Sequence, residues 1–351
     1  MRLVSVTTEP LAIPLLDPFV IATARVDHTT SVRVDVVVEH EGQPFRGRGE
    51  AAALHPVTHE HVDEIATSVQ EVAPALLGRA LDRDLTLLAG VLADRPVARA
   101  GLEQALLDAV ACAQGVPVHA LLAPGSRRMP LVTDVTLPIL PVERMVALAV
   151  GHRAAGFTAF KVKVGKDEDH DRAALAAIAR AVPDARFRLD ANAALSAEQA
   201  LALLRDLRGL TLECFEQPCA RDDLDGMAHV TAEGGVPVIA DESVRDLADL
   251  ERIVERRAAH GVNLKRVKSG GMLPALAIGR AARAAGLTVM VGAMVETWLG
   301  LYGMAHVAVA LGGADFVDLD TAFLLAEPTF AAHHGPTLEL PDLPGLGLVD
   351  G

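Results

Sequence analysis

Asp190, Glu216 and Asp241 stand 26 and 25 residues apart, and each closes a short apolar run: Phe187-Arg188-Leu189-Asp190, Leu212-Glu213-Cys214-Phe215-Glu216 and Val238-Ile239-Ala240-Asp241. Such a run, ending in a polar residue and leading into a helical pattern, is the outline of a strand–helix unit. The outline recurs from about residue 130. Strands are expected near 132–136, 160–164, 187–190, 212–216, 238–241, 262–267, 288–291 and 316–320, with Ala- and Leu-rich helical stretches between most of them. Alternation of this kind argues for a parallel sheet, and eight units argue for closure into a barrel. The rival is an open doubly wound sheet, which usually has fewer strands and a glycine-rich phosphate turn; no G-x-G-x-x-G or Walker sequence is present. Three carboxylates on consecutive strand ends of one barrel rim form an oxygen set suited to a hard divalent cation such as Mg²⁺.

The chain divides into three parts. Residues 1–125 read as an α+β unit: residues 32–38 alternate as a strand, Glu41-Gly42 marks a hairpin turn, and helical patterns cover roughly 58–77 and 97–113, with Gly115 as a stop. Residues 126–320 carry the barrel pattern. Residues 321–351, rich in Pro and Gly, are expected to pack back on the first unit. With 351 residues, half of them apolar, the chain can bury a large core. A net charge of −14 argues against nucleic-acid and anionic-membrane partners, which need clustered Lys and Arg. No apolar stretch reaches the ~18 residues of a membrane span, and the start lacks the outline of a secretory signal. Cys112, Cys214 and Cys219 have neither zinc-ligand spacing nor an even count, which suits a reducing cytoplasm.

Strand parity assigns the chemistry. Side chains two apart share a face, so Lys161 and Lys163 point together into the barrel mouth, as do Asp190 with Asn192 and Asp318 with Asp320. A lone Lys-x-Lys at a strand end is ordinarily a solvated edge. Here it lies one unit before the acid triplet, and Lys265 lies one unit after it. The order Lys-x-Lys, Asp, Glu, Asp, Lys over five consecutive units is hard to produce by chance.

That order resembles the enolase superfamily, and within it the muconate-lactonising-enzyme subgroup. The carrying residues are Phe160-Lys161-Val162-Lys163-Val164-Gly165, Leu189-Asp190-Ala191-Asn192, Phe215-Glu216-Gln217-Pro218, Ala240-Asp241-Glu242-Ser243 and Asn263-Leu264-Lys265 through Gly270-Gly271, with Leu102–Asp108 as the helix leading into the barrel. The resemblance implies a modified (β/α)₇β barrel under an N-terminal α+β capping domain, and Mg²⁺ on Asp190, Glu216 and Asp241. Removing a hydrogen α to a carboxylate builds an enediolate whose charge a pre-placed metal offsets. Lysine serves as a base when burial or a neighbouring cation lowers its pKa. Lys163 is therefore assigned as one acid/base, with Lys161 tuning it and bonding the substrate carboxylate. Lys265 is assigned as the second, on the opposite face of Cα, which suits two-base 1,1-proton transfer. Lys268, three residues on, is the rival and is expected to leave the pocket.

Asp318-Leu319-Asp320 is similar to the dipeptide epimerases, whose acid pair holds a free α-amino group. The alternative is one helix cap and one solvated acid. Segment Gly292–Gly300 also looks like that group, making Glu296 and Trp298 substrate-binding candidates, although a lone Trp is more often core filler. Specificity is expected from the loop 17–30 and from 51–55. Resemblance to the Ala-Glu epimerases would place an Arg where Ala24 stands; Arg25 is the adjacent candidate. The expectation is a dipeptide whose second residue is not acidic. The alternatives on this scaffold are a racemase, epimerase or dehydratase of a cyclic or N-substituted amino acid, or a muconate cycloisomerase. Resemblance also suggests a homo-oligomer. Other signals read as structural: His55, His59 and His61 as a solvated helix start, Cys214 as a barrel-lining thiol, Asp222-Asp223 as a loop or helix cap, and Glu242 as a support for Lys265 or the metal ligands. His333-His334 carries little information.

Overall fold

A computed structural model describes residues 1–327 and 335–348; His333 and His334 lie outside them. The first 52 residues form β1 (Arg2–Leu11), β2 (Pro14–Val20), β3 (Arg25–His28), β4 (Ser31–His40) and β5 (Gln43–Ala52). β1, β4 and β5 make an antiparallel sheet in that order, and β2–β3 is a separate hairpin. Alternation in β4 reflects one buried face: Val32, Val34, Val36 and Val38 are at most 1% exposed. Glu41 (φ 52°) and Gly42 (φ 77°) form the two-residue turn into β5, both in the left-handed region that the strand twist favours. Helix Pro96–Gln114 lies against β5 so closely that a Cβ on Gly47 would sit 2.1 Å from the Ala105 carbonyl oxygen. The helix starts on a proline and stops at Gly115 (φ 67°). The other early helix, Val62–Leu76, begins later than expected, because the His61–Glu64 capping box sets its N-terminus.

The short strand β6 (Leu131–Val132) precedes eight parallel strands: β7 (Val135–Leu137), β8 (Ala159–Lys163), β9 (Arg186–Asp190), β10 (Leu212–Glu216), β11 (Val238–Ala240), β12 (Gly261–Leu264), β13 (Thr288–Gly292) and β14 (Phe316–Asp318). They neighbour one another in chain order, and the Asp134 N–H reaches the Val317 carbonyl at 3.2 Å to bring the two ends together. Helices Val142–Ala154, Glu168–Ala181, Ala197–Asp206, Leu224–Glu233, Leu247–Arg256, Met272–Ala284 and Trp298–Ala310 follow the first seven strands, giving a (β/α)₇β barrel. Cys214, Ile239 and Met290, with Phe316, fill its lower interior.

Three segments differ from expectation. Residues 132–136 split, because β6 leaves the barrel to pair with β15 (Thr337–Leu338). The strand near 262–267 ends at Leu264, since Arg266–Ser269 forms a helical turn. β14 ends at Asp318, and Asp320 begins the 3₁₀ turn Thr321–Leu324. The tail runs back along the cap: the Leu346 N–H donates to Asp108 at 2.7 Å and the Arg48 guanidinium to the Leu348 carbonyl at 2.9 Å. Among the described residues, no helix is long and apolar enough to cross a membrane.

Candidate active site

The C-terminal ends of the strands gather the charged residues, all 6% exposed or less: Lys161 and Lys163 on β8, Asp190 ending β9, Glu216 ending β10, Asp241 just after β11 and Lys265 just after β12. Strand order puts the three acids side by side, with the lysine pair on one flank and Lys265 on the other. Lys163 Nζ lies 2.6 Å from Asp190 Oδ2. Lys161 Nζ lies 3.0 Å from Asp190, 2.8 Å from Glu216 and 2.7 Å from Asp318. Lys265 Nζ bonds Asp241 Oδ2 at 2.7 Å and approaches Glu216 at 3.7 Å. Asn263, two residues before Lys265, donates to Glu216 Oε1 at 2.9 Å. Gln217 fixes the turn that carries Asp241, accepting its N–H at 2.8 Å and that of Ser243 at 3.2 Å.

The electrostatics run against one expectation. Burial alone would lower the Lys161 and Lys265 ammonium groups, but the facing carboxylates outweigh it, and both are raised. For Asp190 and Asp241 burial opposes ionisation, yet the lysines hold both carboxyls below the usual range. Glu216 is raised, first by burial and then by Asp190. Its Oε2 is buried and accepts no hydrogen bond, because Lys161 approaches it without hydrogen-bond geometry. Three carboxylates on one rim, one with a buried oxygen that accepts no hydrogen bond, are a donor set that fits a hard divalent cation.

Lys268 does not leave this cluster. Its Nζ donates to Asp241 Oδ1 and to the Asp241 carbonyl, each at 2.6 Å. The helical turn over 266–269 is the reason, since residues three apart on a helix share a side. Glu242 meets Asn192 (3.3 Å) rather than Lys265, and Asn192 is also tied to Asp190 Oδ1 through its N–H at 2.9 Å.

On the other wall, Asp318 borders the cavity, whereas Asp320 is fully buried behind it and accepts the Thr136 N–H. Burial, then Asp318, raises the Asp320 carboxyl to about 7. Parity alone does not reveal their third neighbour. Asp134, Asp318 and Asp320 each bring an oxygen within 4.8 Å of the others, and Arg188, deeper in the barrel, holds Asp134 at 2.9 Å. The roof comes from the cap: Phe19 and Ile21 from the β2–β3 hairpin region, with Leu54 and Val57, facing Met294 and Val295 below. The Phe19 ring centroid stands 5.7 Å from Lys163 Nζ. A side chamber of about 210 Å³ continues past Asn192 toward Thr23, His59 and Arg221.

Three substrate-binding candidates are not among the residues that line the cavity. Arg25 is 60% exposed and pairs with Asp27 at 3.2 Å, because its side chain projects from β3 into solvent. Glu296 is fully buried against the Arg266 guanidinium. Trp298 packs on Phe323 and Tyr302, with ring centroids 5.2 and 6.2 Å away, as core filler. The other structural readings agree with the contacts: Asp223 caps helix Leu224–Glu233, Cys214 is in the barrel floor, and His61 caps a helix while stacking on His55.

Comparison with known proteins bears on this arrangement. Residues 3–123 match the mandelate racemase/muconate lactonizing enzyme N-terminal domain, and residues 144–349 the enolase C-terminal domain-like family. The chain is 35% identical to a hydrophobic dipeptide epimerase of Citrifermentans bemidjiense, over 95% of this chain and 94% of the relative. It superimposes with a TM-score of 0.91 and 29% identity on a dipeptide epimerase from Enterococcus faecalis complexed with Mg and L-Leu-L-Tyr, covering both chains fully. It also superimposes on an N-succinyl Arg/Lys racemase from Bacillus cereus with a TM-score of 0.93 at 27% identity, covering 100% and 96% of the chains. Backbone likeness thus spans several substrates.

Proposed function

The chain belongs to the mandelate racemase/muconate lactonizing enzyme family of the enolase superfamily, and from that premise we propose that it is a Mg²⁺-dependent dipeptide epimerase. The observation that carries this reading is the placement of amines on both flanks of the acid row, with Asp318 bordering the same cavity.

Asp190, Glu216 and Asp241 would hold the ion. When bound, Mg²⁺ supplies positive charge to the substrate carboxylate, which lowers the cost of the negative charge that develops as the Cα proton leaves. Lys161 adds a second positive charge beside that carboxylate. Lys163, as a neutral amine, accepts the Cα proton from one face, and the Lys265 ammonium delivers a proton to the other. The centre is inverted and the two lysines exchange protonation states; the reverse reaction uses them in the opposite order. Asp318, backed by Asp320, receives the free ammonium group of the dipeptide. Phe19 and Ile21 keep bulk water off the reacting carbon.

Two observations support an apolar second residue: the cap contributes Phe19, Ile21, Leu54 and Val57 to the cavity, and Ala24 stands where the resemblance would place an arginine. The anionic N-substituent of an N-succinyl amino acid would meet the Asp318 carboxylate, which disfavours that substrate here. The test is Cα hydrogen exchange in D₂O over an L,L-dipeptide library, with N-succinyl amino acids in parallel. Exchange is expected in dipeptides with apolar second residues. Strong preference for Ala-Glu overturns the specificity, and exchange in N-succinyl substrates alone overturns the epimerase.

A further inference from the structure

Arg266 follows Lys265 directly, so whatever fixes its guanidinium also fixes the backbone that presents Lys265. That guanidinium is wholly buried. It donates to Glu296 Oε2 and to the backbone carbonyl of Glu50, and its Nε lies 3.4 Å from the Gly300 carbonyl. Glu296 then reaches two more segments. Its Oε1 accepts the Met294 N–H at 3.1 Å, and its own N–H donates to Thr321 Oγ1 at 3.1 Å. Glu50 completes the cluster from the cap: its carboxylate accepts the Gly300 N–H at 3.0 Å and the Thr297 hydroxyl at 2.6 Å.

The cluster therefore joins four segments that border the cavity. These are the end of β5 leading to Leu54, the turn bearing Lys265, the loop bearing Met294 and Val295, and Thr321 beside Asp320. Glu50, Arg266 and Glu296 do not themselves line it. A buried ion pair adds little net stability, because desolvation offsets most of the attraction. It does admit few geometries, since each buried donor and acceptor must stay paired.

We propose that the buried Arg266–Glu296 pair, clamped by Glu50, is a positioning device that sets Lys265 against the substrate Cα. This rests on the two-lysine epimerase reading above. Lys163, on β8, pairs instead with Asp190, at 2.6 Å. Loosening the pair should thus impair one face of the reaction more than the other.

The test is Glu296→Gln, with single-isomer Cα exchange in D₂O measured separately on the L,L- and L,D-forms of an accepted dipeptide. Lys265→Ala identifies the isomer that depends on Lys265. Exchange from that isomer is expected to fall about tenfold further than from the other, as a misplacement of a fraction of an ångström would cause. Gly300→Ala is the second variant, because its Cβ would lie 2.0 Å from Glu296 Oε2 and 2.6 Å from Arg266 Nη2, forcing the pair apart without deleting it. Equal losses from both isomers, or no loss, overturn the proposal. So does loss of the fold in both variants, which would make the cluster a stability element. Absence of exchange from either isomer in the unmodified protein would instead remove the epimerase reading.

Discussion

In the proposed reaction, Lys163 and Lys265 divide the chemistry by where they stand rather than by what they are. Each contacts a carboxylate of the acid row, Asp190 at 2.6 Å and Asp241 at 2.7 Å, from opposite flanks. Replacing either with Ala is expected to cut epimerisation by about 10²–10⁴-fold, the usual worth of a placed acid/base group. The two variants should differ in which stereoisomer keeps exchanging its Cα hydrogen with D₂O. Loss of the same isomer in both would put both lysines on one face. Parity made Lys161, Lys163, Asp190 and Asp318 legible, because a strand alternates whatever it packs against. It failed at Lys268, because the chain turns helical at Arg266, and a period-two rule does not apply to a period of 3.6.

Elements, rather than single residues, decide how the cap sits on the barrel. Helix Pro96–Gln114 is buried almost along its length, with its amphipathic character erased by the sheet on one side and the barrel on the other. Asp108 on that helix accepts the Arg48 N–H from β5 at 2.8 Å and the Leu346 N–H from the tail at 2.7 Å. Asp108→Ala leaves both donors without an acceptor, and the expected cost is about 1–3 kcal/mol for each N–H left unpaired. Urea denaturation measures it; a change within about 0.5 kcal/mol, typical of a neutral surface substitution, would mean that water replaces the carboxylate.

Across the whole molecule, the tail closes against the last barrel helix through His306. Its Nδ1 accepts the His119 N–H at 3.0 Å, and its Nε2 is 3.2 Å from the Leu346 carbonyl. That pattern needs a neutral ring, and burial lowers its pKa from 6.5 to about 3. The unfolded chain therefore takes up this proton first. The stability His306 contributes is complete above about pH 6.5 and is lost as pH falls toward 3. His306→Gln keeps one acceptor and one donor without a titrating ring. Denaturation midpoints followed from pH 7 to 4 should fall less steeply in that variant; parallel curves would remove His306 as the cause.

The barrel, its strand order, the lysines and the acid row follow from the sequence alone, because each depends on local period and on the position of a polar residue at a strand end. Tertiary structure alone decided the partners. It placed Asp320 behind Asp318, brought Asp134 and Arg188 beneath them, and paired Glu296 with the buried Arg266. Those contacts join residues far apart in the chain, and no local period encodes which buried charge will meet which. The pairing is fixed only when the packed core removes water and leaves each charge the neighbours that remain.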